Sequence, residues 1–225
     1  MAVDSDILLI FDCDGVLVDS EPISFAVLRD TLTDAGVELS ESHAYQQFLG
    51  KSMASITRMV ADEFEIALSE EHIEAMRTQL FARFQAELQP VPGIADVLSH
   101  LDRPHCVASS SQMERIRLSL RKTGLIDFFE PNIFSATMVK KGKPEPDLFF
   151  HAAEAMGFEP SRCIVIEDSP AGIQAAHSAG MKVFAFTGGS HATLSNLHEI
   201  VAELKPTVIF DDMKSLPGLV DAVRF

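Results

Sequence analysis

The chain has few cysteines: Cys13, Cys106 and Cys163 make an odd number, and no Cys-x-x-Cys pair occurs. Each lies in or beside an apolar run, so buried free thiols in a reducing compartment are expected, not a disulfide framework or a thiolate metal site. Basic residues are scarce too, 18 Lys and Arg against 33 Asp and Glu, for a formal charge of −15. That balance argues against nucleic acid as a partner, because a polyanion is gripped through clustered Lys and Arg. A small anionic substrate stays compatible with it, since a metal ion and one or two lysines can dominate a local field. No apolar stretch approaches the about 18 residues of a membrane helix, and Asp4 and Asp6 stand where a signal peptide carries basic residues. A soluble, cytoplasmic, monomeric protein with no membrane partner is expected. Repeats and low-complexity segments are lacking, as are G-x-S-x-G, H-E-x-x-H and G-x-G-x-x-G. Gly50-Lys51-Ser52 echoes the end of a phosphate-binding loop, but Tyr45 stands where its first glycine belongs.

What the chain does have is an apolar run, Ile7-Leu8-Leu9-Ile10-Phe11, that stops at Asp12-Cys13-Asp14-Gly15. Such a run bounded by a turn signal reads as a buried parallel strand. Its C-terminal end, where ligands bind in open α/β sheets, then carries two carboxylates. Side chains two residues apart share a side, so Asp12 and Asp14 face one site and Cys13 faces the core. Adjacent carboxylates repel each other, and a divalent cation relieves the conflict. One or two carboxylates with waters and a substrate phosphate suit Mg²⁺. Taken alone, the motif also reads as a solvated turn with an aspartate capping the next helix. An EF-hand is excluded, since Gly15 stands fourth in the motif and Val16 fifth.

From about residue 21 to 88 the chain reads as successive helices, over 23–35, 41–48, 52–64 and 69–88. The last has Ser69 as cap and Glu70 and Glu71 in its first turn. The punctuated Gln89-Pro90-Val91-Pro92-Gly93 ends that block. Strands then alternate with helices: strands over 106–109, 133–135, 163–166, 182–186 and 207–210, helices over 94–101, 113–123, 147–156 and 171–179, and a short helix at the end. Alternation of this kind means parallel βαβ units. The expected fold is α/β, a Rossmann-like parallel sheet core of residues 1–20 and 89–225, with a small helical cap, residues 21–88, inserted after the first strand.

Further strand ends carry polar residues. Val107-Ala108 leads into Ser109-Ser110-Ser111, Ile164-Val165-Ile166 leads into Glu167-Asp168-Ser169-Pro170, and Lys140-Lys141-Gly142-Lys143-Pro144 precedes the intervening helix. Singly these read as helix caps, solvated lysines and acids of a helix first turn. Only their joint occurrence at successive strand ends asks for a shared site.

The chain resembles the haloacid dehalogenase superfamily, in the branch of β-phosphoglucomutase and small sugar-phosphate phosphatases. The resemblance spans essentially the whole chain. It rests on Asp12 to Ser20 as D-x-D-G-x-[LI]-x-D-[ST], on Val107-Ala108-Ser109, on Lys143-Pro144-Glu145-Pro146, and on Glu167-Asp168-Ser169-Pro170-Ala171-Gly172.

It implies that Asp12 is a nucleophile forming an aspartyl-phosphate and Asp14 the general acid and base. Mg²⁺ would be held by Asp12, the Asp14 carbonyl and Asp168, with Glu167 a ligand or the partner of one. Lys143, Ser109 and Ser110 would receive the phosphoryl group. In the cap, Gly50 and Lys51 are candidates to meet an anionic or hydroxyl-rich substrate, and Lys51 reads equally as a solvated surface lysine. The presence of Asp14 favours phosphoryl transfer over dehalogenation. Phosphomutases of this branch carry a cap histidine and a cap arginine where an ungapped alignment puts Ser24 and Met53. The resemblance therefore points to a Mg²⁺-dependent phosphatase acting on a small phosphorylated metabolite, a sugar phosphate or sugar-acid phosphate such as 6-phosphogluconate. A β-phosphoglucomutase-type mutase is the alternative, and a non-catalytic binding protein is disfavoured because every motif residue is present.

Overall fold

A computed structural model describes residues 6–37, 53–64, 66, 68–192 and 196–224. The expected helix over 41–48, Gly50, Lys51 and the side chain of Met53 lie outside the described residues. Six parallel strands form one sheet: β1 (Leu8–Phe11), β2 (His105–Ser109), β3 (Ile133–Ser135), β4 (Cys163–Glu167), β5 (Lys182–Phe186) and β6 (Val208–Phe210). Their order is β3-β2-β1-β4-β5-β6, with Ile10 opposite Cys106 on one side and Val165 on the other. The helices are α1 (Glu21–Asp34), α2 (Met53–Phe64), α3 (Glu70–Glu87), α4 (Ile94–Ser99), α5 (Met113–Lys122), α6 (Ile126–Phe129), α7 (Asp147–Met156), α8 (Pro170–Ser178), α9 (Leu197–Glu203) and α10 (Leu216–Ala222).

Both faces of β1 are covered, which is why its sequence is apolar at every position. Leu8 and Ile10 join Cys106, Ala108 and Val165 under α7 and α8. Leu9 and Phe11 join Val107, Ile166, Phe184 and Phe186 on the opposite face, with Ile116 of α5 and Phe129 of α6. Phe11, His105 and Phe129 meet edge to face, at centroid separations of 5.4 to 6.4 Å. All three cysteines are buried and free.

The chain runs outward from β1 to β2 and β3, then crosses back to β4 on the other side of β1. That reversal opens a crevice at the C-terminal ends of β1 and β4. The helices α1 to α4 all fall between β1 and β2. The two connections that join the block of α1 to α3 to the rest of the chain lie side by side, ahead of α4: the Asp19 amide donates to the Gln89 carbonyl and the Val91 amide to the Leu17 carbonyl, each at 3.0 Å. Buried residues of this block, including Leu32, Val60, Met76 and Phe84, are continuous with the apolar layer on the Leu9 and Phe11 face.

Most expected elements differ from the observed ones by a residue or two at their ends, and β3, β5 and α7 coincide with them. Two helices carry no expectation: α6, a single turn, and α9, entered through Asn196 in the left-handed region at φ 52°. Ser69 caps α3 as expected, its hydroxyl accepting from the His72 amide at 3.3 Å. His72 returns the bond, its Nδ1 accepting from the Ser69 amide, in the place a capping box usually gives to Glu or Gln.

Candidate active site

Asp12 follows β1 directly, and its amide donates to the Ile166 carbonyl of β4, which holds it over the crevice. Lys143 reaches in from the loop before α7 and places Nζ 2.6 Å from Asp12 Oδ1 and 2.6 Å from Glu167 Oε1. Only 3% of the lysine side chain is exposed. Lys140 and Lys141 are exposed, and of the three neighbouring lysines it is Lys143, the one in the K-P-x-P motif, whose side chain is buried at the crevice. The other oxygen of Glu167 accepts from the Ser169 amide at 2.7 Å and from its hydroxyl at 2.9 Å, and that hydroxyl accepts from the Gly172 amide at the start of α8. Gly172 leaves room for this carboxylate, since a Cβ there would collide with Glu167. Glu167 thus holds Lys143 and ties β4 to α8.

Asp14 has three donors. Ser20 Oγ and Arg115 Nη2 donate to Oδ1 at 2.7 and 2.9 Å, and Ser111 Oγ donates to Oδ2 at 2.7 Å. Burial alone would raise its carboxyl, but the guanidinium and the two hydroxyls outweigh it and hold the group below the usual range. Asp12 goes the other way. Burial pushes it well up, Lys143 opposes, and Glu167, Asp168 and Asp14 add like-charge repulsion. Asp168 is also raised, chiefly by burial, with His191 Nε2 at 3.3 Å from its Oδ2 opposing. Despite its own burial, that imidazole is held above its ordinary value by Asp168.

These groups line one cavity of about 450 Å³ that also includes Glu21, Ser109, Ser110, Ser111 and Arg115. Asp12 and Asp14 thus share a site while Cys13 is buried. Ser110 is exposed at the rim, and Ser109 is buried with its hydroxyl accepting from the Ser111 amide. Gly15, at φ 80°, is required twice over: its backbone is left-handed, and a Cβ would collide with Asp168 Oδ2. Asp168 therefore lies against the backbone that follows Asp14. Two raised, buried carboxylates on one wall form a hard-oxygen donor set that fits a divalent cation. Among the described residues no three His, Cys, Asp or Glu side chains converge into a closed metal cage, and the preference of Mg²⁺ for few protein ligands is met by two.

Glu21, Arg115 and His191 carry no sequence expectation. Arg115 had one signal: it is the third residue of α5, where the helix dipole disfavours a cation, so some nearby anion must hold it. Glu21 passes for an ordinary first-turn acid of α1, and His191 stands in no motif.

Residues 9–186 match the family model of haloacid dehalogenase-like hydrolases. The chain is 33% identical to the 6-phosphogluconate phosphatase of Escherichia coli (strain K12) over 182 residues, 80% of this chain and 82% of that one. It is 34% identical to a fructose-1-phosphate phosphatase of the same organism over 179 residues, 77% and 92% of the two chains. Among solved structures, a conserved haloacid dehalogenase-like protein from Agrobacterium tumefaciens str. C58 superposes with a TM-score of 0.85 at 36% identity, covering 96% of this chain and 97% of that one. A family hydrolase from Deinococcus radiodurans R1, solved with bound phosphate and sodium, gives 0.77 at 27%, covering 96% of each. With its parallel sheet, its crevice and its four motifs, the chain belongs to the haloacid dehalogenase-like hydrolases.

Proposed function

We propose that the protein is a Mg²⁺-dependent phosphatase that hydrolyses a small phosphorylated sugar or sugar acid through an aspartyl-phosphate on Asp12. The observation that carries this reading is the buried ammonium of Lys143, shared between Asp12 and Glu167 at 2.6 Å each. It places a fixed positive charge beside a carboxylate oxygen where a phosphoryl group arrives, with no reorganisation needed.

Asp12 and Asp168, with the Asp14 carbonyl, would hold Mg²⁺, which screens the meeting of two anions and neutralises charge on the transferring oxygens. Asp14, ionised at rest, first takes up a proton from solvent; Asp12 then attacks phosphorus through one oxygen while the P–O bond to the leaving group breaks, and Asp14 delivers that proton to the departing alkoxide. Asp14 then takes a proton from the water that attacks the acyl phosphate, which restores Asp12 and frees inorganic phosphate. Lys143 and the Ser109 to Ser111 turn hold the phosphoryl oxygens, and Glu167 keeps Lys143 in place. The helices of 21–88 would act as a cap over the leaving group. A mutase must keep water from the aspartyl-phosphate while a bisphosphate turns over in the closed site. Ser24, where such an enzyme would carry a cap histidine, supports hydrolysis.

Hydrolysis of p-nitrophenyl phosphate should be abolished by chelator and restored by Mg²⁺, and full activity in excess chelator would defeat the metal assignment. Asp12→Asn should lose at least about a thousandfold in kcat, the scale set by removing a nucleophile. Asp14→Asn should still accept a phosphoryl group from an activated donor but release it slowly, so that labelled phosphate stays on the protein. Peptide mapping of that label to any residue other than Asp12 would contradict the mechanism.

A further inference from the structure

We infer that Arg115 reads a second anionic group, carboxylate or phosphate, on the leaving portion of the substrate, giving up its ion pair with Asp14 to bind it. The inference rests on the phosphatase reading and deepens it by naming a residue that selects among substrates.

Position is the first ground. Arg115 donates to Asp14 at 2.9 Å, and Asp14 is the group that meets the departing oxygen, so Arg115 lies where the leaving group must pass. Ser24 of α1 accepts from the same Nη2 at 3.4 Å, and the Phe84 ring of α3 lies 5.0 Å below the guanidinium. Both come from the helices that would enclose the leaving group.

Unspent capacity is the second ground. A guanidinium offers five N–H donors in a planar fork suited to a bidentate anion. Nη2 serves Asp14 and Ser24, while Nε is buried with no hydrogen-bond partner among the described residues. A buried donor left unmade is costly unless a bound group completes it. With 23% of the side chain exposed on the cavity wall, a ligand can reach the guanidinium, and Nε opens to it once the side chain leaves Asp14.

The exchange has a consequence for turnover. Asp14 is held by three donors at rest, and a tail that draws Arg115 away leaves it with Ser20 and Ser111 alone. A two-anion substrate replaces the pair it breaks. A substrate with a neutral tail has nothing to offer Arg115, and the existing pair stays.

The test compares 6-phosphogluconate, glucose 1,6-bisphosphate and glucose 6-phosphate on the wild type, Arg115→Gln and Arg115→Lys, with p-nitrophenyl phosphate as a reference. The wild type should favour at least one two-anion substrate over glucose 6-phosphate by about tenfold or more in kcat/KM, the scale of one charge-assisted pair. Which of the two is favoured identifies carboxylate or phosphate. Arg115→Gln should bring the ratio near one through a raised KM for the two-anion substrate, and Arg115→Lys, which keeps the charge, should retain part of it. A wild-type ratio near one overturns the inference, and so does a ratio preserved while Arg115→Gln loses activity on every substrate, the mark of a residue that only holds Asp14. Either result leaves the phosphatase reading standing as long as p-nitrophenyl phosphate is hydrolysed. Hydrolysis of none of the four by the wild type with Mg²⁺ defeats that reading, and the inference with it.

Discussion

Lys143 and Glu21 line the same cavity and meet burial in opposite ways. The Lys143 ammonium stays charged because Asp12 and Glu167 compensate its lost hydration. Among the described residues Glu21 has no direct partner of that kind. Its carboxyl is pushed up to about 7, by burial first and then by Asp168, with His191 and Arg115 pulling against the rise. An unperturbed glutamate titrates at 4.5, so the folded protein binds a proton at Glu21 that the unfolded chain has released across that interval. The ionised carboxylate therefore costs stability that is absent below the lower value and complete above the upper one. Glu21→Gln should raise the unfolding free energy of the metal-free protein by about 1–2 kcal/mol near pH 8 and hardly at all near pH 4. Urea melts in chelator at the two pH values check this, and an equal gain at both would refute it.

At the scale of elements, short polar contacts decide where helices begin and what they hold. The β4 to α8 junction uses one carboxylate, Glu167, both to receive the Ser169 amide and to anchor Lys143, so the start of α8 and the charge of the site are built together. The start of α3 depends on the reciprocal pair of Ser69 and His72. This helix packs along α1 and against α5, where Arg77 pairs with Glu114 at 2.9 Å. Ser69→Ala removes the hydroxyl acceptor and should cost about 1 kcal/mol, read as a lower urea midpoint with an unchanged slope. Ser69→Asp, which restores an acceptor, should recover most of it.

At the scale of the molecule, the helical block joins the sheet through two connections bonded to each other, Asp19 to Gln89 and Val91 to Leu17. Paired crossings of this kind form a hinge about which the block can rotate as a rigid body, and closure would shut water out during phosphoryl transfer. Small-angle scattering should show a smaller radius of gyration with Mg²⁺ and a phosphate analogue than without them. Identical curves would argue against closure. Ser20 adds to the expectation: it borders the crossing and donates to Asp14, so rotation of the block is felt at the acid. No helix among the described residues is long and apolar enough to cross a membrane.

By itself the sequence determined the sheet, its insertion and the carboxylates at its edge. An unbroken apolar run requires burial on both faces, alternation of strands and helices requires parallel pairing, and a D-x-D at a strand end places two acids over the crevice. Those are local patterns, with periods of two or 3.6 residues, and they survive without knowledge of distant contacts. That Lys143 is shared between Asp12 and Glu167, and which cation Asp14 receives, only the tertiary structure decided. Asp12 and Lys143 are 131 residues apart, and Asp14 and Arg115 are 101 apart. Pairing across such separations follows from how β1, β2 and β4 stack and how their loops converge, and it leaves almost no periodic trace. Arg115 was the one partial exception, a cation at the wrong end of a helix dipole. Glu21 and His191 had no such mark, because an acid in a first turn and a histidine in a loop are ordinary until the fold sets Asp168 beside them.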